Sequence, residues 1–99
     1  MTSRYKSQIT DPSQLIIDKV YYRVTKLNDG GWITEFLITS KPYIENTGSL
    51  FVKTLDEPND VKRIHAGSFS LDDYNVIPNT YNQHRVFSNL NDAEQYLKD

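Results

Sequence analysis

Val20-Tyr21-Tyr22-Arg23-Val24-Thr25-Lys26-Leu27 is the first stretch in which residue type alone favours an extended backbone. It is rich in β-branched and aromatic residues, with Val20, Tyr22 and Val24 at period two on one face. Asn28-Asp29-Gly30-Gly31 follows, and Asp and Gly there supply the positive φ values of a tight hairpin turn. Trp32 to Thr39 resumes as a strand, with Trp32, Phe36 and Ile38 on one face and Glu35 on the other, so a hairpin is expected across residues 20–39. Leu50 to Leu55 reads as a third strand and Asp56-Glu57-Pro58-Asn59-Asp60 as a turn. Val61 to Ala66 reads as a fourth strand paired with the third, and Gln83 to Phe87 as a last short one.

The ends have a different character. Residues 1–10 are polar and aperiodic and are expected to fray as a flexible N-terminus. Asp11-Pro12 pairs a cap with a proline at the first helical position, which predicts a helical turn through Leu15. Lys41 to Gly48 reads as a loop, and Ser70 is placed to cap a short turn over Leu71-Asp72-Asp73-Tyr74, before the Pro78-Asn79 interruption. Asn91-Asp92-Ala93-Glu94 has a cap residue with Glu three positions on, leading into Gln95-Tyr96-Leu97-Lys98 as a C-terminal helix. The expected fold is mainly β with short terminal helices: a small, partly open antiparallel barrel of about five strands filling residues 11–99 as one domain.

At 99 residues the chain has room for one core, since a chain this size buries about 65% of the surface its unfolded form exposes. With 11 basic against 13 acidic residues it is neither a strongly basic nucleic-acid coat nor an acidic DNA mimic. It has no cysteine, which excludes disulfides, zinc knuckles and thiol nucleophiles. The first twenty residues have no apolar run longer than Leu15-Ile16-Ile17, too short for a signal peptide or a spanning helix. A cytoplasmic location without membrane contact is therefore expected. Phe, Tyr, Met, Ile, Asn and Lys, encoded by AT-rich codons, total 35 residues against 14 of Gly, Ala, Arg and Pro, which points to an AT-rich genome.

The residues that carry chemistry form no catalytic pattern. His65 and His84 share no motif and lack the short spacing of metal ligands. Asp72-Asp73 has too few neighbouring oxygens for a calcium loop and suits a helical N-terminus. No serine sits in a Gly-x-Ser-x-Gly elbow, and Gly30-Gly31 lacks the Lys-Ser/Thr of a phosphate-binding loop. The expectation is a protein that is not an enzyme and takes no cofactor and no metal.

A binding surface remains. Period-two alternation sets Tyr21 and Arg23, Phe51 and Lys53, and Arg63 and His65 on outward strand faces. Aromatics interleaved with cations suit single-stranded nucleic acid, where bases stack and phosphates are neutralised, and equally suit a protein partner. A solvated face with one aromatic beneath the C-terminal helix fits the same pattern, because a one-residue slip exchanges the two faces. A second patch is Tyr81-Asn82-Gln83-His84-Arg85, of which Tyr81, His84 and Arg85 are the candidate contacts.

Leu15-Ile16-Ile17-Asp18-Lys19-Val20-Tyr21-Tyr22 resembles the opening of SH3-like small barrels, where a leucine precedes an acid, a base, an apolar residue and an aromatic entering the first strand. Val86-Phe87-Ser88-Asn89-Leu90-Asn91-Asp92-Ala93-Glu94-Gln95-Tyr96-Leu97 is similar to an ending found in small bacteriophage and bacterial proteins, a strand closing on Phe followed by a helix with Ala-Glu and an aromatic. The resemblance implies an SH3-like barrel of phage origin with an interaction role. The function expected is a non-catalytic binding module, a phage-type accessory protein that binds and modulates a host protein in the host cytoplasm. Nucleic-acid binding through the aromatic and basic face is the alternative.

Overall fold

Asn28 and Asp29 alone reverse the chain between β1 (Val20–Leu27) and β2 (Gly30–Ile38), with Leu27 paired to Gly30 at the turn and Val20 to Leu37 at the far end. The positive φ values fall just after the loop, at Gly30 (142°) and Gly31 (154°). Gly31 is also required sterically. A Cβ there would collide with the Thr25 carbonyl oxygen and lie 3.1 Å from Leu97 Cδ1. In the computed structural model, which describes residues 5–58, 64–78 and 82–99, this hairpin is the centre of an open, curled antiparallel half-barrel.

The remaining strands are β3 (Tyr43–Ile44), β4 (Leu50–Pro58), β5 (His65–Ser70) and β6 (Arg85–Phe87). β4 pairs with β2 through residues 54–58 and with β5 through residues 51–56, so the order across the sheet is β5-β4-β2-β1-β6. Phe51 and Leu50 pair with Tyr43 and Ile44, so two-residue β3 takes the edge of β4 that β2 has left. β3 falls in the stretch expected to be a loop, because two residues are too few for a period-two signal. β4 runs through Asp56 and Glu57, read as turn residues; the expected strand at Val61–Ala66 is observed from His65 onward, and Val61–Arg63 lie outside the described residues.

Opposite faces of the sheet carry two cores. The concave side holds Tyr21, Phe36, Ile38, Val52, Phe69 and Val86, closed by Ile9, Leu15, Leu71 and Val76. The convex side carries Val24, Ile33 and Phe87 beneath α1 (Leu90–Lys98), which contributes Ala93, Tyr96 and Leu97. β1 is thus buried on both sides, and Tyr21 and Val24 are each fully inaccessible. The alternation expected on β1 is present, but both of its faces are apolar environments.

The ends are tied down. The Asp11 carboxylate accepts from Ser13 N–H at 2.8 Å and Gln14 Oε1 accepts from Asp11 N–H at 3.1 Å, capping the 3₁₀ turn Pro12–Gln14 as its Asp-Pro start implies. Residues 5–9 depart from the frayed segment expected. Ile9 N–H donates to Val86 O at 2.8 Å, Ser88 N–H donates to Ser7 O at 3.0 Å, and the Tyr5 ring meets Phe87 and Tyr96 edge-on. Their polarity hid this role, since edge pairing uses backbone groups and needs no apolar pattern. α1 is capped by Asn89, two residues before the expected Asn91: Asn89 Oδ1 accepts from Asn91 N–H at 2.8 Å. The Asp92 carboxylate is thereby left to accept from Ser7 Oγ at 2.6 Å. Residues 71–75 form a turn rather than a helix, closed by Asn75 at φ 58°, because Leu71 is drawn fully into the concave core.

Gly30→Ala and Gly31→Ala separate backbone strain from collision. Gly30 has nothing within 4 Å of an added Cβ, so its substitution is expected to cost about 1 kcal/mol from φ alone. Gly31→Ala adds the clash with Thr25 and is expected to cost roughly 3 kcal/mol. Urea denaturation of the two variants checks the ranking.

Candidate binding surface

Arg23 and Thr25 on β1, Thr54 and Asp56 on β4, and Gly67 on β5 all face the concave side. Arg23 makes a two-pronged ion pair with Asp56, Nη1 to Oδ1 at 3.1 Å and Nη2 to Oδ2 at 2.7 Å, and Thr54 Oγ1 donates to Asp56 Oδ1 at 2.6 Å. The guanidinium carbon lies 5.1 Å from the ring centroids of both Phe36 and Phe69 and 5.7 Å from that of Tyr74. A charge this enclosed is costly unless its partner and hydrogen bonds compensate, and here both do. Gly67 makes room for the carboxylate: a Cβ there would stand 2.5 Å from Asp56 Oδ2. The chain therefore fills the inside of its half-barrel with its own cation.

A polar cleft of about 530 Å³ opens where the hairpin end meets residues 82–84, lined by Lys26, Asn28, Asn82, Gln83, His84 and Asp99 among others. The imidazole of His84 holds its walls together. Lys26 N–H donates to Nδ1 at 3.0 Å, so the neutral ring carries its proton on Nε2. The ring packs against Tyr74 at 5.3 Å, and Tyr74 Oη and Thr25 Oγ1 share a hydrogen bond of 2.9 Å. Burial holds the imidazole below its ordinary value of 6.5; the Asp73 carboxylate opposes that shift and Arg85 adds to it.

On the convex side, beyond α1, no element among the described residues packs over the sheet. Cross-strand register aligns Val20, Leu37, Leu55 and Ala66 in one row over β1, β2, β4 and β5. Val20 and Leu55 are 40% and 39% exposed, and Ile64 beside the row is 66% exposed. The neighbouring row runs from Phe87 and Tyr22, under the helix, to Glu35 and Glu57, outside it. Val20, Leu37, Leu55 and Ile64, with Glu35 and Glu57 along one margin, line a groove of about 180 Å³.

The residues expected to form a face are dispersed. Tyr21 is fully buried, its hydroxyl donating to Gln14 O at 2.7 Å and accepting from Ile16 N–H, so it presents no ring to solvent. Arg23 points into the half-barrel. Both expectations are corrected for one reason: residues 21, 23 and 25 take the concave side, where the polar pair of positions 23 and 56 disguised an inward stripe. Phe51 and Lys53 do face the convex side; Phe51 is half-buried against Tyr43, and Lys53 Nζ lies 5.7 Å from the Tyr43 ring. His65 is exposed opposite Asp56 at the β5 end. His84 and Arg85 are half-buried and spent on structure, Arg85 Nη1 donating to Asn82 O at 3.2 Å and His84 O at 2.8 Å. Arg63 and Tyr81 lie outside the described residues. Leu37, Leu55 and Ile64 were not singled out by the sequence, although Leu37 and Leu55 read as the faces opposite Ile38 and Thr54 once the register is known.

These features define the class: a mainly β, open half-barrel with one C-terminal helix and an exposed convex face. Residues 10–99 match the family described as phage g100-like protein, and the chain belongs to that family. The match covers every strand and the helix, and so supports a phage-type small protein. Comparison with curated proteins and with solved structures yields no match. Among the described residues no helix is long and apolar enough to cross a membrane.

Asp56→Ala leaves the Arg23 guanidinium enclosed without its carboxylate and is expected to lower stability by roughly 3 kcal/mol. Replacing both partners, Arg23→Met with Asp56→Leu, is expected to recover most of that loss, as thermal melts of the three proteins would show. For His84 the folded chain takes up its proton at lower pH than the unfolded chain. Its contribution is full above about 6.5 and is lost as pH falls from there toward the folded-state value. His84→Asn keeps an acceptor near Nδ1 but does not titrate, so its urea midpoint should vary less than the parent's between neutral and mildly acidic pH.

Proposed function

We propose that this phage-family protein is a non-catalytic binding module that engages a host protein in the host cytoplasm through its convex face. The observation that carries this reading is the row of exposed Val20 and Leu55 with half-buried Leu37 between them and exposed Ile64 beside it, on the part of the face that α1 does not cover. Contiguous apolar surface on a small protein marks sites of interaction rather than of solvation. Glu35 and Glu57 in the adjoining row give the apolar row a charged margin.

Nucleic acid is the weaker reading. Glu35 and Glu57 border the groove and would repel phosphates, whereas phosphate binding draws on clustered, unpaired cations. Of the cations expected on the two candidate surfaces, Arg23 is paired with Asp56 and Arg85 is bonded to backbone carbonyls. The concave side is filled by side chains, which supports a role carried on the surface without catalysis.

The test is affinity capture from lysates of several bacterial hosts, using the parent and a Leu55→Asp, Ile64→Asp double variant. Both positions are exposed, so circular dichroism is expected to show the variant folded like the parent. The reading holds if one host protein is retained reproducibly by the parent and lost by the variant. It fails if the variant retains the same proteins, if nothing is retained reproducibly, or if gel shifts at micromolar protein and low salt reveal nucleic-acid binding instead.

A further inference from the structure

Glu35 and Glu57 are direct cross-strand partners on the convex face. Like charges in that relation weaken a sheet. Neither is paired with a cation among the described residues. They occupy the row beside Val20, Leu37 and Leu55, with Ile64 next to Glu57 at its end, and all six residues line one groove. The groove crosses the strands, and strands are spaced by about 4.8 Å, close to the 5.4 Å of one helical turn. Four positions across β1, β2, β4 and β5 span about 14 Å, or roughly three turns of helix. The protein already covers the adjoining part of this face with a helix: α1 sets Ala93, Tyr96 and Leu97, at spacings of three and four, on Val24, Ile33 and Phe87.

Resting on the protein-binding reading above, we propose that the groove accepts an amphipathic helix of the partner protein, with lysine or arginine along the flank that faces Glu35 and Glu57. Apolar residues at every third or fourth position would lie over Leu37 and Leu55, and the basic flank would relieve the repulsion between the paired carboxylates. Attraction of this kind sets orientation and partner choice more than it sets affinity.

The probe is a pair of labelled helical peptides of about 15 residues, with the same leucine stripe and either lysine or glutamate on the flank. They are titrated with the full chain by fluorescence anisotropy at low salt. The lysine peptide is expected to bind about tenfold or more tightly than the glutamate peptide. Glu35→Gln with Glu57→Gln is expected to erase that difference, and Leu55→Asp with Ile64→Asp to abolish binding of both. Equal binding of the two peptides by the parent, or binding that survives the Leu55→Asp, Ile64→Asp change, overturns the proposal. If a host protein is captured through this face and neither peptide binds, the helix proposal fails alone. If sedimentation shows a dimer that Leu55→Asp dissociates, the occupant is a second copy of the chain, and the host-protein reading falls with the helix proposal.

Discussion

From Tyr21 to Thr25 β1 is covered on both sides, and the rest of the structure follows from that double burial. Alternate residues of one strand answer to different surroundings: Tyr21, Arg23 and Thr25 to the concave interior, Tyr22 and Val24 to the helix. A lone hairpin of this length is only marginally stable, and that of β1 and β2 persists here because β6 and α1 also bear on β1. The N-terminal segment adds its own backbone bonds to β6, so an edge that would otherwise stand open is paired from within the chain.

The ion pair of Arg23 and Asp56 performs a different task from the apolar cores. Buried charge pairs seldom add much stability over a hydrophobic substitute, but they penalise any arrangement in which one partner is buried alone. Here the pair joins β1 to β4, strands that do not touch in the sheet, across an interior walled by Phe36, Phe69 and Tyr74. It therefore ties together two strands that β2 separates, on the inner side of the curled sheet.

Local chemistry made part of this legible before any coordinates. The Asn-Asp-Gly-Gly turn, the Asp-Pro start of the 3₁₀ helix and the β-branched run of β1 each act over a few residues, and each is where its residues imply. Arg23 and Asp56 are 33 residues apart, and nothing near either one announces the other. Asp56 read as a turn residue because it precedes Glu57-Pro58, whereas the strand continues through it to meet β2. The candidate surface was hidden for a related reason. Its row is made of one residue from each of several strands, and such a row exists only once register is set. Period-two alternation divides residues into two classes correctly, but it cannot say which class is covered, and from Tyr21 to Thr25 both are.

The guanidinium held between three rings has a consequence for how this protein can change. An interior occupied by the chain's own side chain has no vacancy for selection to adapt, so new recognition has to arise elsewhere. Val20, Leu37 and Leu55 stand on the reverse of the same strands, facing away from the enclosed charge. The sheet works as a partition: one side encloses the charge and its rings, while the other carries the row of Val20, Leu37 and Leu55.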